Sequence, residues 1–223
     1  MKTTWAIFKE TVKTVVVALL IALVIRAFLF QVFWIPSASM EPTFDINDRI
    51  IVDRITHGIQ NPLYDMNDSP IFLFNIPNPL YNTNFPLTGS RYIIEWGKIN
   101  RFDIIVFKYP KDPSQYFIKR VIGLPGEKVE IKDGQVFIYT KDDKKFMLDE
   151  SKYLDSRVIT NGNKVNEWTL GPDEYYVMGD NREQSLDSRY FGPIFKDLIV
   201  GKVWFRGWPV SRIVLFPEIN YGF

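Results

Sequence analysis

The chain contains no cysteine and a single histidine, His57, among its 223 residues. Without cysteine, disulfides, thiol nucleophiles and cysteine metal sites are all excluded. A lone histidine also excludes an HExxH zinc site, and a Ser-His-Asp triad would have to use His57. That residue begins a segment rich in proline and asparagine, and we interpret it as an ordinary loop residue. Nucleophilic chemistry in this chain would therefore need a different base.

The chain also lacks a charge excess, because 27 basic and 26 acidic side chains leave a net charge of +1. This balance gives no electrostatic argument for nucleic acid as a partner. Hydrophobic residues make up 46% of the chain and aromatic residues 16%, which is ample material for a core. The length fits one domain of moderate size, or one domain with an inserted lobe.

A long apolar run lies near the N-terminus. Val15 to Ile25 is uninterrupted apolar sequence, too short to span a bilayer alone. Thr14 can join a helix through its own hydroxyl, and Arg26 can snorkel to the interface. Residues 14–30 then form a span near the lower length limit of a transmembrane helix, followed by Phe33 and Trp34 as interfacial anchors.

The lysines before this run predict its orientation. Three precede it and one arginine lies near its far end, which places residues 1–13 in the cytoplasm and 31–223 on the trans side. A cleavable signal peptide is the alternative, with Ser37-Ala38-Ser39 as the small residues of its cleavage site. Against that alternative, the bulky run from Phe28 to Ile35 separates the apolar core from those small residues.

The rest of the chain is predicted to be mainly antiparallel β-structure. Phe102 to Tyr109 has the pattern of a buried strand, and Asp133-Gly134 between two short apolar-alternating runs indicates a hairpin. Residues 57–100, rich in proline and asparagine, are interpreted as a loop-rich insertion. Residues 133–170 are interpreted as a small inserted β lobe.

Two serines two residues apart follow the apolar run. In an extended segment Ser37 and Ser39 would face the same way and bring both hydroxyls into one site. A nucleophile beside a donor for its developing oxyanion needs that arrangement. A polar turn is the other interpretation of this stretch, since proline and serine are common in turns.

Lys119 is a second candidate for chemistry. In a strand it shares a face with Phe117 and Val121, so it would point into apolar surroundings. Burial lowers the pKa of a lysine, and a lysine titrating near neutrality accepts a proton from serine. A lysine guarding an edge strand is the alternative. Arg120 points to the opposite face and is predicted to form a structural ion pair.

A polar loop, residues 179–192, carries five formal charges between two glycines. Such composition predicts a loop held by internal ion pairs and Asx-type turns. One interpretation is a solvated surface loop. The other is a loop that supports a lysine base.

Four stretches together are more specific than any one of them. They are residues 36–43 (PSASMEPT), 102–110 (FDIIVFKYP), 119–127 (KRVIGLPGE) and the 179–192 loop, in this order after an N-terminal anchor. This pattern strongly resembles bacterial type I signal peptidase, a membrane-anchored Ser–Lys protease. The resemblance covers the anchor and most of residues 30–139 and 175–215, and it is weak in the two polar insertions.

The resemblance implies a role for each matching residue. Ser39 corresponds to the acylating nucleophile and Lys119 to its general base, while Ser37 and the backbone N–H of Ser39 correspond to the oxyanion hole. Ser185 corresponds to the serine that hydrogen-bonds and orients the lysine. The implied supporting residues are Asp187, Arg189, Asp180, Arg182 and Arg120. The implied substrate-binding residues are Phe33, Ile35, Pro36, Met40, Phe44, Phe117 and Ile118.

The resemblance also implies an activity and a location. The implied enzyme cleaves signal peptides from exported pre-proteins after small residues of the Ala-x-Ala type, through an acyl-enzyme, with no metal and no cofactor. Its partners would be signal peptides and membrane lipid, with the export machinery as a further candidate. The implied location is the bacterial inner membrane, single-pass, with the catalytic domain on the extracytoplasmic side.

Four departures and two rival functions accompany this interpretation. Glu127 stands where the family commonly has aspartate, and Glu183-Gln184 replaces a shorter Asp-Asn pair. Ala38 and Phe102 each stand where the family usually has glycine, which bears on the local backbone and removes no catalytic group. A self-cleaving repressor-type Ser–Lys protease is one rival, although it would need a DNA-binding module where this chain is apolar. An anchored or secreted β-rich binding domain with a chance Ser-x-Ser is the other.

Overall fold

Antiparallel strands dominate the computed structural model, which describes residues 3–55, 58–60, 92–95, 97–142, 144–163 and 165–216. The mainly antiparallel β fold predicted from the sequence is confirmed. Most of the predicted 57–100 insertion, with His57, lies outside the described residues.

The strands form a large sheet and a small one, together with a separate two-stranded pair. The large sheet has the order β1-β2-β13-β5-β6-β11-β12, with β14 beside β13; the small sheet has the order β10-β7-β8-β9; β3 pairs with β4. Along the chain the strands are β1 (Phe30–Trp34), β2 (Arg49–Asp53), β3 (Gly58–Gln60), β4 (Tyr92–Glu95), β5 (Ile104–Tyr109), β6 (Asp112–Gly123), β7 (Lys128–Lys132), β8 (Gln135–Tyr139), β9 (Lys145–Met147), β10 (Glu167–Thr169), β11 (Glu174–Met178), β12 (Ile194–Phe195), β13 (Ile199–Trp208) and β14 (Val214–Leu215).

The β5 strand is buried on both faces, which explains its continuous apolar sequence. Ile104 and Val106 pack into one core cluster, which also contains Met40 and Phe44. Ile105 and Phe107 pack into a second cluster on the opposite face of the sheet. The sheet is therefore covered on both sides where β5 and β6 meet.

The small sheet contains the predicted hairpin. Asp133 and Gly134 both have positive φ angles, 52° and 80°, as the tight turn between β7 and β8 requires. The sheet itself begins five residues before the predicted start of the small lobe, since β7 begins at Lys128 and pairs with β8 on one side and β10 on the other. Residues 128–169 therefore hold one sheet.

An N-terminal helix, α1 (Thr3–Phe28), precedes the sheets. It begins well before residue 14 and ends two residues before the predicted limit of 30, because Phe30 already pairs with Asp53 in the first strand pair. None of the helices in the described ranges is long and apolar enough to cross a membrane. The membrane anchor over residues 14–30 stays a prediction.

Phe102, where the resemblance implies a glycine, has a φ of 72°. Left-handed backbone of this kind costs a side-chain-bearing residue on the order of 1–3 kcal/mol. The ring is 2% exposed and packs against Tyr153, with the two ring centroids 5.6 Å apart. Burial of a phenylalanine contributes about 1.5–3 kcal/mol, enough to offset the strain.

We expect Gly201→Ala to destabilise the large sheet. A Cβ at Gly201, in the central strand β13, would overlap the backbone oxygen of Asp53 and lie 2.8 Å from the Val52 side chain. Overpacking of this kind costs about 1–3 kcal/mol, which urea unfolding will measure.

Gly207→Ala in the same strand is the matched control. There the nearest atoms within reach of a Cβ belong to the Phe205 side chain, 3.1 Å away, and a side chain can move aside. Equal losses in the two variants would contradict the proposed overlap at Gly201.

Candidate active site

Ser39 lies on a single 3-10 turn, Ala38–Met40, that follows β1. Of the two interpretations of this stretch, the turn holds at residues 38–40, and of the two serines only Ser37 is extended. The side chains of Met40 and Phe44 are fully buried and fix this turn to the core. Ser37 itself keeps extended angles, and its hydroxyl donates to the Ser39 hydroxyl at 3.4 Å.

Lys119 projects from β6 toward that turn. Its Nζ donates to the Ser39 Oγ at 2.7 Å and to the Ile118 carbonyl oxygen at 2.7 Å. The residue is 3% exposed, and Ser39 is 6% exposed. Ile105 lies directly across the strand pair, and the Phe117 ring centroid is 5.6 Å from the Nζ. The structure thus brings the predicted nucleophile and base into contact in an apolar environment.

The environment of Lys119 changes its acidity. Burial removes water from the ammonium form and lowers the pKa of Lys119 from 10.5 to about 8. The carboxylates of Asp187 and Asp180 act in the opposite direction and raise the pKa, while the positive charge of Arg189 lowers it. A substantial fraction of the amine is therefore neutral just above physiological pH.

Ser185 is close to this pair and does not make the hydrogen bond to Lys119 that the resemblance implies. Its Oγ is buried without a hydrogen-bond partner among the residues that the structure describes. The Ser39 carbonyl and the Ser185 hydroxyl both lie so near Gly179 that a Cβ at that glycine would overlap them. Ser185 therefore lies beside the Ser39 turn, with a buried hydroxyl that is free to rotate about its Cβ–Oγ bond.

Two ion pairs beneath the site are almost completely buried. Asp187 receives two hydrogen bonds from the guanidinium of Arg189, both at 2.8 Å, and also accepts from the Gly179 N–H at 3.0 Å. Asp180 receives two from Arg120, at 2.8 and 2.6 Å. Paired groups of this kind hold a loop in one geometry, since an unpaired buried charge is very costly.

Arg182, the remaining predicted support residue, turns toward the small lobe. Its guanidinium pairs with Glu150, and its Nε donates to the Gly179 carbonyl oxygen at 3.1 Å. It also contacts the Thr160 hydroxyl. Arg182 thus joins the 179–192 loop to a part of the chain where the sequence carries little family resemblance.

The predicted substrate-binding residues fall into two groups. Phe33, Pro36 and Phe117 have exposed or half-buried side chains beside the serine turn or along β6. The other four pack into the core beneath the Ser39 turn and β6. They are Ile35, Met40, Phe44 and Ile118, each at most 8% exposed. The first group therefore presents side-chain surface beside the site, and the second group supports the turn and the strand from the interior.

Asn181 is a site residue that the sequence reasoning did not single out. Its side-chain Nδ2 donates to the Ala38 carbonyl oxygen and its backbone N–H to the Ser39 carbonyl oxygen, each at 3.1 Å. These two bonds clamp the turn that carries Ser39. The sequence indicated that the 179–192 loop is important. It did not indicate which side chain of the loop contacts the Ser39 turn, because that depends on tertiary structure.

The described residues contain no cluster of three or more histidine, cysteine, aspartate or glutamate side chains that could hold a metal ion. The chemistry that the site can perform on its own is proton transfer between a buried amine and a hydroxyl, followed by attack of that hydroxyl on an acyl group.

We expect Lys119→Met to be more stable than the parent chain at pH 7, because methionine fills similar space without a charge to desolvate. Lowering a lysine pKa from 10.5 to about 8 costs about 3 kcal/mol at neutral pH, and this bounds the gain. The unfolded chain holds its proton up to 10.5 and the folded chain releases it near 8. The free energy of unfolding of the parent therefore rises as the pH increases from about 8 to 10.5. The stability difference between Lys119→Met and the parent should shrink over the same range.

Urea unfolding at pH 7 and at pH 10.5 tests this expectation. Lys132→Met, at an exposed position of β7, is the control and should show no such gain. A Lys119→Met variant less stable than the parent at pH 7, or a gap independent of pH, would contradict the desolvation argument.

Comparison with known proteins agrees with the resemblance seen in the motifs. A family model described as signal peptidase, peptidase S26, matches residues 8–208. A probable signal peptidase I-2 of Synechocystis sp. is 32% identical over 209 residues, covering 94% of this chain and 77% of the relative. The signal peptidase I of Pseudomonas fluorescens is 32% identical over 243 residues, covering 91% and 74%. That of Leptolyngbya laminosa is 33% identical over 226 residues, covering 95% and 86%.

These matches run through both sheets and the site, and they set aside the rival interpretation as a binding domain without catalytic activity. The chain therefore belongs to the peptidase S26 family of signal peptidases and is an enzyme of the signal peptidase I type.

Proposed function

We propose that this signal peptidase is a membrane-anchored serine endopeptidase in which Ser39 attacks the scissile carbonyl and Lys119 is the general base. The observation that carries the proposal is the 2.7 Å contact between Nζ and Oγ, with both groups buried. The lowered pKa of Lys119, about 8, supports it, because a base must be neutral to accept a proton.

The reaction divides into two halves. The neutral amine of Lys119 accepts the proton of the Ser39 hydroxyl as Oγ attacks the peptide carbonyl carbon. The resulting ammonium then protonates the departing amine, the carbon–nitrogen bond breaks, and an acyl-enzyme ester remains. A water molecule, deprotonated by the same amine, attacks the ester and releases the signal peptide with a new carboxylate, and the proton returns to Ser39.

The oxyanion of each tetrahedral intermediate needs donors already in place. We assign this role to the Ser37 hydroxyl and the backbone N–H of Ser39. The 3.4 Å separation between the two serine hydroxyls supports the assignment, because it places a second donor beside the nucleophile. Ser185 then serves as a partner for the Lys119 amine as the amine changes its charge.

The substrate is proposed to bind as an extended strand along β6. Residues 116–119 pair with β5 on one side, and within the described strand pairings β11 meets β6 only from Arg120 onward. β1 lies close to this stretch of β6, since the Phe33 and Tyr116 rings are 5.4 Å apart. Backbone pairing gives affinity in such a mode, and side-chain pockets give specificity. Bulky walls at Phe33 and Phe117 leave room for small residues, consistent with Ala-x-Ala cleavage sites.

The anchor is proposed to be residues 14–30, with the N-terminus in the cytoplasm and the catalytic domain on the extracytoplasmic side of a bacterial inner membrane. Residues 14–28 belong to α1, and apolar side chains such as Val16, Leu19 and Leu20 are about half exposed in the isolated chain. An exposed apolar surface such as this one on α1 is expected to be covered by an apolar partner. Membrane lipid would supply it, and exported pre-proteins, with the export machinery, would meet the site there.

We expect Ser39→Ala and Lys119→Ala each to abolish cleavage of a purified precursor that carries a signal peptide, because each removes one half of the proton-transfer pair. Both variants should remain folded by circular dichroism. Ser211→Ala, at an exposed position just before β14, and Lys132→Ala, at an exposed position of the small lobe, are the controls and should retain the parental rate.

The pH profile of the parent refines the same experiment. The cleavage rate should rise with pH and level off above about 8, because the amine must lose its proton to act. Normal processing by Lys119→Ala, or a rate that falls between pH 7 and pH 8.5, would remove Lys119 as the base.

We also expect the full chain to stay with the membrane pellet after alkaline carbonate extraction, and its N-terminal sequence to begin ahead of residue 14. An uncleaved apolar helix resists this extraction, whereas a peripheral protein does not. A chain that begins near residue 38 and is released into the supernatant would show that the apolar run is a cleaved signal peptide.

A further inference from the structure

Three buried arginines surround the candidate active site, and all three contact one segment of the small lobe. We call residues 150–161 the linking segment; they follow β9 and lead toward β10. Arg120 stacks on the Tyr153 ring, with its guanidinium carbon 4.0 Å from the ring centroid. Arg189 donates to the Asn161 carbonyl oxygen at 3.2 Å, and Arg182 contacts both Glu150 and Thr160.

The Arg182 contacts lead directly to the nucleophile. Its Nε donates to the Gly179 carbonyl oxygen at 3.1 Å, and its own carbonyl oxygen accepts from Arg189 at 2.7 Å. Gly179 packs against the Ser39 carbonyl and the Ser185 hydroxyl so closely that no Cβ fits. A shift of Arg182 therefore moves the backbone on which Ser39 rests.

Glu150 determines where Arg182 lies. Its carboxylate receives the Nη1 and Nη2 groups of Arg182, and Tyr153 donates its hydroxyl to the same carboxylate. The Arg182 side chain is only 1% exposed, so its charge depends on this partner. A two-pronged pair also fixes the orientation of the guanidinium plane, which a neutral amide does not do equally well.

We propose that the linking segment of the small lobe positions the nucleophile, and that Glu150 is the positioning residue through which it acts. The chain of contacts runs from Glu150 through Arg182 to Gly179 and then to the Ser39 turn. This inference rests on the proposed roles of Ser39 and Lys119. It gives the small lobe a part in catalysis that does not require contact with the substrate.

Glu150→Gln in the full chain tests the proposal, with cleavage of a purified precursor as the readout. We expect kcat per folded enzyme to fall between about 10- and 100-fold, because small misplacement of a reacting group has effects of this size. The KM should stay within about twofold, since the peptide-binding edge is not altered. Each variant is assayed at a temperature where circular dichroism shows it fully folded, so lost stability alone does not lower kcat.

Glu130→Gln is the matched control. Glu130 also lies in the small lobe, pairs with Lys145 and accepts a hydrogen bond from a tyrosine, Tyr139, but it contacts none of the three arginines in the structure. Its kcat and KM should equal those of the parent. An equal kcat loss in Glu130→Gln would overturn the proposal, because any disturbance of the lobe would then suffice.

Thr160→Val keeps the test decisive if Glu150→Gln does not fold. The isosteric change removes one Arg182 contact and leaves the ion pair, so kcat should fall by a smaller factor, about threefold or more. An unchanged kcat in the folded variants, with Ser39→Ala inactive in the same assay, would overturn the role of the linking segment alone. Activity in Ser39→Ala would instead refute the proposed nucleophile.

Discussion

The burial of one amine against one hydroxyl is the constraint that the rest of this structure satisfies. Removing water from Lys119 costs about 3 kcal/mol at neutral pH, a large fraction of a domain's stability. A flexible site would avoid that cost by letting the ammonium reach solvent. The lysine is instead placed on β6 within a sheet that is covered on both faces, and the Ser39 turn closes over it with Met40 and Phe44 fixed in the core.

The charged groups around the site act on its geometry and on its acidity at once. Asp180 and Asp187 are each paired with an arginine, which keeps their carboxylates in place, yet both still raise the pKa of Lys119 in opposition to burial. The resulting pKa is a balance between opposing contributions. Loop order and base strength are therefore coupled, since a displaced carboxylate would alter both.

Short sequence patterns predicted strands and turns, but they did not predict contacts between residues that are distant in the chain. The β5 strand and the turn at Asp133-Gly134 follow from apolar content and turn chemistry within a few residues. An extended chain would bring the Ser37 and Ser39 hydroxyls together, but here they meet through a 3-10 turn. The turn forms because the Met40 side chain is buried in the core. Glu150 carried no signal at all, since its partner lies 32 residues away and its surroundings lack family motifs.

Phe102 links the two sheets, because its side chain packs in one core cluster with residues of both. Its backbone angle would suit glycine, yet its ring fills the space beside Tyr153, and its carbonyl oxygen receives Arg120 at 3.0 Å. Replacing the phenylalanine by glycine would relax the main chain and at the same time remove the buried ring and leave a cavity beside Tyr153. The two rings therefore depend on each other, and the stability effects of substituting positions 102 and 153 are not additive.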